Sequence, residues 1–268
     1  MLYNRFHATC SEDFLIRHRG ILPVDKGVFV DIGAGPPQDG NNTCHFERSG
    51  WTGLCVDAHP RVVENIHRER TCIVEHCAVG TEEGEVKFFI HGDINLSSKL
   101  PGRGNLGEIK VPAARLETLL VKHRIAKIDL LSIDAEGCDL DVWKSMDWLI
   151  HRPTVVIIEP GDDKWLIMEE MFSKGYNLEA TTIDNLIFKS NFEWQFVGEG
   201  HWIYGPKIRG MVRPALGEID FDRGRDGPEG GWVWFTQCLK DEKRGVAINR
   251  PRAVFEVERA LGDINERF

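Results

Sequence analysis

No C-x-x-C pair and no H-x-x-x-H or H-E-x-x-H arrangement occurs in the chain. A zinc site, a thioredoxin-like redox pair and a zinc hydrolase therefore have no motif to stand on. The seven cysteines are odd in number and irregularly spaced, and most sit inside apolar segments, where Cys behaves as a small hydrophobe. Positive charge is in short supply: 33 Lys plus Arg stand against 42 Asp plus Glu, a formal net charge of −9. That balance gives no general pull toward phosphate backbones, so no nucleic-acid partner is expected. No apolar run approaches the ~18 residues of a membrane span. The N-terminal stretch MLYNRFHATCSEDF lacks the apolar h-region of a secretory signal, and a reduced, cytoplasmic protein is the expectation. Internal repeats and low-complexity tracts are absent too.

What is present is a globular mixture of 268 residues, 42% hydrophobic and 28% charged. Its length corresponds to about 1.8 average domains and can bury a sizeable core without staples. Thr9-x-x-Glu12 is a capping-box pattern opening a short helix that runs to Gly20. Short apolar runs then end on polar residues: Val28–Val30 at Asp31, Leu54–Val56 at Asp57, Ile128–Ile133 at Asp134, and Thr154–Ile158 at Glu159. Ile73-Val74 leads to Cys77-Ala78-Val79 in the same manner. Such runs, without polar alternation, suit parallel strands buried on both faces. Helix candidates separate them, over 42–49, 60–70, 115–123, 139–149 and 163–174. This alternation predicts a doubly wound α/β sheet, mostly parallel, closed by an antiparallel hairpin over 177–189 around Asp184-Asn185.

The segment Phe29-Val30-Asp31-Ile32-Gly33-Ala34-Gly35 is a strand running into a glycine loop. Glycine permits positive φ and close approach of a ligand to the backbone; a structural turn is the plainer reading of Gly-x-Gly alone. A dinucleotide fingerprint would carry a third glycine, but the chain continues Pro36-Pro37-Gln38. Those prolines remove two backbone N–H donors that a pyrophosphate needs. S-adenosylmethionine, which has no phosphate and carries a cationic sulfonium and amine, suits the loop better. Asp31 would place negative charge beside it, and Asp57, ending the second strand, could take two ribose hydroxyls. Either aspartate could instead be a solvated strand end or a helix N-cap.

Further along, Asp134-Ala135-Glu136-Gly137 places carboxylates at i and i+2 after a buried strand. On an extended chain they share a face, at the carboxyl edge where open α/β sheets bind ligands. Mutual repulsion can separate their pKa values and leave one as a proton acceptor. Glu136 and Asp139 could also simply favour the next helix N-terminus.

The runs FVDIGAG, NNT, GWTGLCVDAHP, VPAARLETLL, IDLLSIDAEGCDLDVWKSMDW and VVIIEP, in that order, resemble the FkbM-type S-adenosylmethionine-dependent methyltransferases over roughly residues 25–190. The most family-specific piece is SIDAEG with the helix after it. The resemblance implies a class I methyltransferase (Rossmann-like) fold and O-methylation of a sugar or other hydroxyl. By position it places Gly33, Ala34 and Gly35 against the methionine part, Asp57 on the ribose, and Cys77 and Ala78 beside the adenine. This chain departs from many members in carrying Gly35-Pro36-Pro37 where they have Asn-x-Gly, and Asp57 where they have glutamate.

The expectation is thus a methyltransferase domain over 1–190, followed by a C-terminal extension over 191–268 with aromatic strands and a loop rich in Gly and Arg. Its cofactor is S-adenosylmethionine, and its partner is a small-molecule or glycan acceptor. In-line attack of an acceptor hydroxyl on a sulfonium methyl depends chiefly on alignment and desolvation. Asp134 is the first choice to receive the hydroxyl proton, with Glu136 as its partner. An NAD-dependent oxidoreductase and a non-catalytic glycan-binding module are the alternatives. His91 could serve as a base or be merely solvated. Glu159 could join Asp134 and Glu136 around Mg²⁺, although the spacing requires no metal. The pair Trp232 and Trp234 could stack on a sugar or pack in a core. Arg209, Arg213, Arg223 and Arg225 lie in a candidate lid over 205–231.

Overall fold

The computed structural model describes residues 6–93, 97–102, 104–148, 150–198 and 201–206. The chain divides into two compact units, Met1–Lys164 with Thr182–Ile187 and Trp165–Thr181 with Phe188–Phe268. The expected lid over 205–231 (past its first two residues), the Trp232/Trp234 strand and the strand at 253–257 lie outside the described residues. Among the described residues no helix is long and apolar enough to cross a membrane.

The first unit holds strands β1 (Val28–Ile32), β2 (Thr52–Asp57), β3 (Ile73–His76), β4 (Ala78–Val79), β5 (Gly84–His91), β6 (Asn105–Ala114), β7 (Leu130–Ile133) and β8 (Val155–Ile158). Two further strands, β9 (Tyr176–Thr181) and β10 (Leu186–Ser190), form the expected hairpin, and the boundary between the units falls inside β10. The main sheet runs in the order β3-β2-β1-β7-β8-β10-β9. β1 pairs in parallel with both β2 and β7, so Asp31 lies opposite Cys55 on one side and Ser132 on the other. β3 and β8 continue the parallel pairing outward. β7, β8 and most of β1 and β2 are buried throughout, the environment that unbroken apolar runs require. After β3 the chain returns to the other side of β1. The strand order therefore reverses between β1 and β7, and their carboxyl ends flank the crevice where such sheets hold ligands.

The described residues of the first unit form the helices α1 (Glu12–His18), α2 (Cys44–Arg48), α3 (Pro60–Glu69), α4 (Leu116–Lys122) and α5 (Asp139–Lys144). α3 has Pro60 at its first turn and a His59 ring that accepts from the Arg61 N–H, and it buries Val62, Val63 and Ile66 on one face. The expected capping box at Thr9 does not form. Ser11 is the N-cap, with left-handed φ of 66°, and the Glu12 carboxylate accepts from the Cys10 N–H at 3.1 Å. Its other oxygen takes the Thr182 hydroxyl and the Asn185 amide, at 2.6 and 2.9 Å, so long-range bonds displaced the local motif. α6 (Lys164–Ser173) leads to β9; β11 (Phe192–Gly198) and β12 (His201–Pro206) pair antiparallel beyond β10.

A second, three-stranded sheet was not expected from the sequence. It has the order β4-β6-β5, with β5 and β6 antiparallel and a register shift between Ile90 and His91. Most residues of both long strands are exposed or half-buried, so they carry no continuous apolar signal.

α5 also stops short of the expected 139–149, for a visible reason. The buried Ser145 hydroxyl donates to the Val142 carbonyl at 2.7 Å and accepts from the Leu116 N–H at 2.9 Å. The Ser145 carbonyl receives the Glu117 N–H. Ser145 thus ends α5 and caps α4, whose own N-cap, Arg115, provides no side-chain bond. Replacing Ser145 with Ala strands a buried N–H, and urea denaturation should show a loss of about 1–3 kcal/mol. An unchanged midpoint would mean that the start of α4 is held by other contacts.

Candidate functional site

The loop after β1 is held by bonds that begin at its own glycines. Gly33 and Gly35 adopt φ of 71° and 61°, open to glycine at little steric penalty. A Cβ on Gly33 would overlap the Asp134 carbonyl oxygen, so only glycine lets the loop cross the end of β7. The N–H groups of Gly33 and Ala34 both donate to the Val56 carbonyl, at 2.9 and 3.2 Å.

Beneath the loop lies a buried polar network. The Asn41 amide nitrogen donates to the Ala34 carbonyl at 2.7 Å and to the Asp31 carboxylate at 3.2 Å. Its oxygen accepts from the N–H groups of Thr43 and Cys44 and from the Arg70 guanidinium. Arg70 also reaches the Pro37 carbonyl, the Thr43 hydroxyl and the Glu47 carboxylate. Asp31 was expected beside the cofactor, but it does not line the cleft. Its carboxylate is fully enclosed and accepts from Thr43 at 2.7 Å as well as from Asn41. Burial raises its pKa, while Thr43, Arg70 and Asn41 oppose the rise.

Above the loop is a cleft of about 370 Å³. It brings together Gly33, Ala34, Gly35, Asp57, Cys77, Ala78, Asp134 and Glu136, every expected site residue except Asp31. Asp57 faces it with both carboxylate oxygens engaged: one accepts from the Gly35 N–H at 3.1 Å, the other from the His59 N–H at 2.7 Å. Burial nevertheless pushes its pKa up to about 6. Apolar wall is added by Val62, Val79 and Phe88, and polar groups by Ser97 and Lys99. Sequence reasoning missed Phe88 and Lys99 because they come from β5 and the segment after it. The alternating pattern of β5 was the available signal.

The carboxyl groups at the end of β7 depart from the expected geometry. β7 ends at Ile133, and Glu136 takes a left-handed φ of 50°, so the two acids do not share a face by strand alternation. Asp134 instead hydrogen-bonds Glu159, and burial together with the charges of Glu159, Asp139 and Glu136 holds its pKa well above the carboxylate range. Asp139 accepts from the N–H groups of Ala135 and Gly137, at 2.7 and 3.1 Å. Ligand oxygens of Asp134, Asp139 and Glu159 lie within 4.8 Å of one another, so Asp139 takes the place expected for Glu136 in that trio.

Glu136 is half-buried on the cleft wall. Burial first, then the charges of Glu159, Asp139 and Asp93, raise its pKa to about 7, and His91 opposes the rise. His91 is thereby brought near the site, with its Nδ1 accepting from the Asp93 N–H at 3.0 Å. The arrangement can bind a ligand with donor hydroxyls at Asp57 and receive a proton at Glu136.

A family model described as the methyltransferase FkbM domain matches residues 31–178, a span that includes the cleft lining except Thr9. Comparison with curated proteins and with solved structures finds no match. The network under the loop yields a direct test. Asn41→Ala leaves the buried N–H groups of Thr43 and Cys44 without their acceptor and should destabilise the fold by at least about 1–3 kcal/mol. A wild-type unfolding midpoint would show that the glycine loop does not rely on Asn41.

Proposed function

The chain belongs to the FkbM family of S-adenosylmethionine-dependent methyltransferases, and on that premise we propose that it methylates a hydroxyl of a sugar, glycan or small metabolite. One observation carries the reading: the Asp57 carboxylate beside the glycine loop and the half-buried Glu136 carboxyl line the same cleft. Family membership decides against the nicotinamide oxidoreductase and the non-catalytic binding module.

The residues present fit the cofactor. Gly33 and Gly35 expose backbone without side chains, Asp57 offers acceptors to ribose hydroxyls, and Cys77-Ala78 with Val62 offers an apolar slot. When bound, S-adenosylmethionine supplies an electrophilic methyl group on a positively charged sulfur. The apolar wall of Val62, Val79 and Phe88 keeps water from the reacting groups, and alignment then supplies much of the acceleration. Glu136, with a pKa near neutrality, is the group we assign to hold the proton leaving the acceptor hydroxyl. Asp134 is the less available acceptor, because burial and the neighbouring carboxylates favour its protonated form and its carboxyl is engaged by Glu159. Ser97, Lys99 and the nearby His91 and Asp93 give the acceptor side polar partners suited to a hydroxyl-rich molecule.

Two measurements test this. Asp57→Ala should weaken S-adenosylmethionine binding by about 1.5–3 kcal/mol, the range for hydrogen bonds to a charged group. Protonated Asp57 loses acceptor capacity, so calorimetry on the wild type should show affinity declining as pH falls through about 6. Asp57→Asn should flatten that profile. Affinity that ignores both pH and substitution removes Asp57 from the site.

For the acceptor side, release of S-adenosylhomocysteine can be followed over a panel of sugar hydroxyl acceptors. Wild-type turnover should rise with pH through about 7, where Glu136 ionises. Glu136→Gln should reduce turnover about 10²–10⁴-fold, and Asp134→Asn, which preserves a donor to Glu159, should reduce it less. The opposite ranking would make Asp134 the base.

A further inference from the structure

Away from the cofactor cleft, two sulfurs meet between β2 and the start of β3. The Sγ atoms of Cys55 and Cys72 are 3.5 Å apart, although the residues are 17 positions apart in sequence. Cys55 is fully buried, whereas Cys72 is half-buried and lines a second cleft of about 460 Å³ with Glu47, Thr71 and Ile73. A small solute can reach Cys72 from that cleft, and Cys55 is in contact with Cys72 from within. The two roles of a redox pair, an accessible attacking sulfur and an enclosed resolving sulfur, are therefore divided between them.

The surroundings sharpen the division. The hydrogen bond with Cys55 leads in drawing the Cys72 thiol below its usual value; burial works against it and the Arg70 charge reinforces it. The same hydrogen bond and burial push Cys55 well above. Cys44, Cys77 and Cys138 are all raised by burial.

We propose that Cys55 and Cys72 are a peroxide-responsive dithiol that closes a reversible disulfide between β2 and the residue preceding β3. The Cys72 thiolate attacks one oxygen of hydrogen peroxide. An S–O bond forms, the O–O bond breaks, and the departing hydroxide takes a proton to become water. Cys55 sulfur then attacks the Cys72 sulfenic acid. An S–S bond forms, the S–O bond breaks, and the leaving hydroxide takes up the Cys55 proton as a second water. Two thiols and one peroxide thus give one disulfide and two waters. The sulfurs must close from 3.5 Å to about 2.05 Å, a displacement within reach of a χ1 adjustment at the half-buried residue.

The full-length protein, treated with hydrogen peroxide and blocked with an alkylating reagent, can be digested after Arg and Glu and mapped without reduction. Glu75 separates Cys72 from Cys77, and Glu47 separates Cys44 from Cys55, so each linkage is identifiable. The expected result is a Cys55–Cys72 linked pair, with both thiols lost to alkylation and both recovered by dithiothreitol. In Cys55→Ser, Cys72 should stop at the sulfenic acid and be trapped by dimedone. In Cys72→Ser, Cys55 should stay reduced. Cys72 that remains fully alkylatable, or that appears as sulfinic acid with no link to Cys55 in the wild type, overturns the proposal. So does oxidation of Cys55 at an undiminished level in Cys72→Ser. The wild-type map stands by itself should either variant fail to fold.

Discussion

The side-chain amide of Asn41 is used at both ends. Its nitrogen supports the glycine loop through Ala34 and satisfies Asp31, and its oxygen gathers two backbone N–H groups and the Arg70 guanidinium. A loop with two glycines at positive φ has no conformational preference of its own for one shape, and its freedom is lost on folding. The network supplies the missing preference. It also neutralises Asp31, Glu47 and Arg70, charges that would be strongly destabilising if left unpaired in the interior. The sequence reading put Asp31 in contact with cofactor because it ends β1. The structure uses its charge one layer lower, to hold the surface the cofactor is expected to meet.

Four carboxyl groups crowd the end of β7, and their crowding determines their chemistry. Asp134 and Glu159 share a hydrogen bond, so they titrate as a pair rather than as two independent acids. Asp139 is committed to the backbone of the turn. Glu136 stands partly open on the cleft wall with a pKa near neutrality. Repulsion between neighbours was anticipated from the i, i+2 spacing, with Asp134 as the first choice to receive the proton; the proposed assignment to Glu136 did not follow from that spacing. It depended on Glu159, which arrives from a different strand, and on the left-handed backbone at Glu136.

The two thiols illustrate the same limit. A search for C-x-x-C spacing passes over Cys55 and Cys72, because parallel pairing of β2 with β3 brings them together across the whole of α3. Likewise, β5 contributes Phe88 to the cleft from a strand too exposed to register as an apolar run. Local pattern has no access to contacts that close over such distances.

Local pattern was enough, by contrast, wherever a single segment carried the physics. Unbroken apolar runs marked β1, β2, β7 and β8, since strands buried on both faces admit no polar alternation. Pro36 and Pro37 argued against a pyrophosphate by removing its N–H donors, and Asp57 was located by its place at the end of β2. The amino-acid sequence by itself determined the α/β class, the glycine loop and the family, and all but one of the site residues it named line the cleft. Tertiary structure alone decided that Asp31 anchors rather than lines the site, that Asp139 replaces Glu136 in the acidic trio, and that α1 is capped at Ser11. The reason is common to all three: hydrogen-bond partners and charges from distant segments meet only after the sheet has formed, and burial then makes each pairing compulsory.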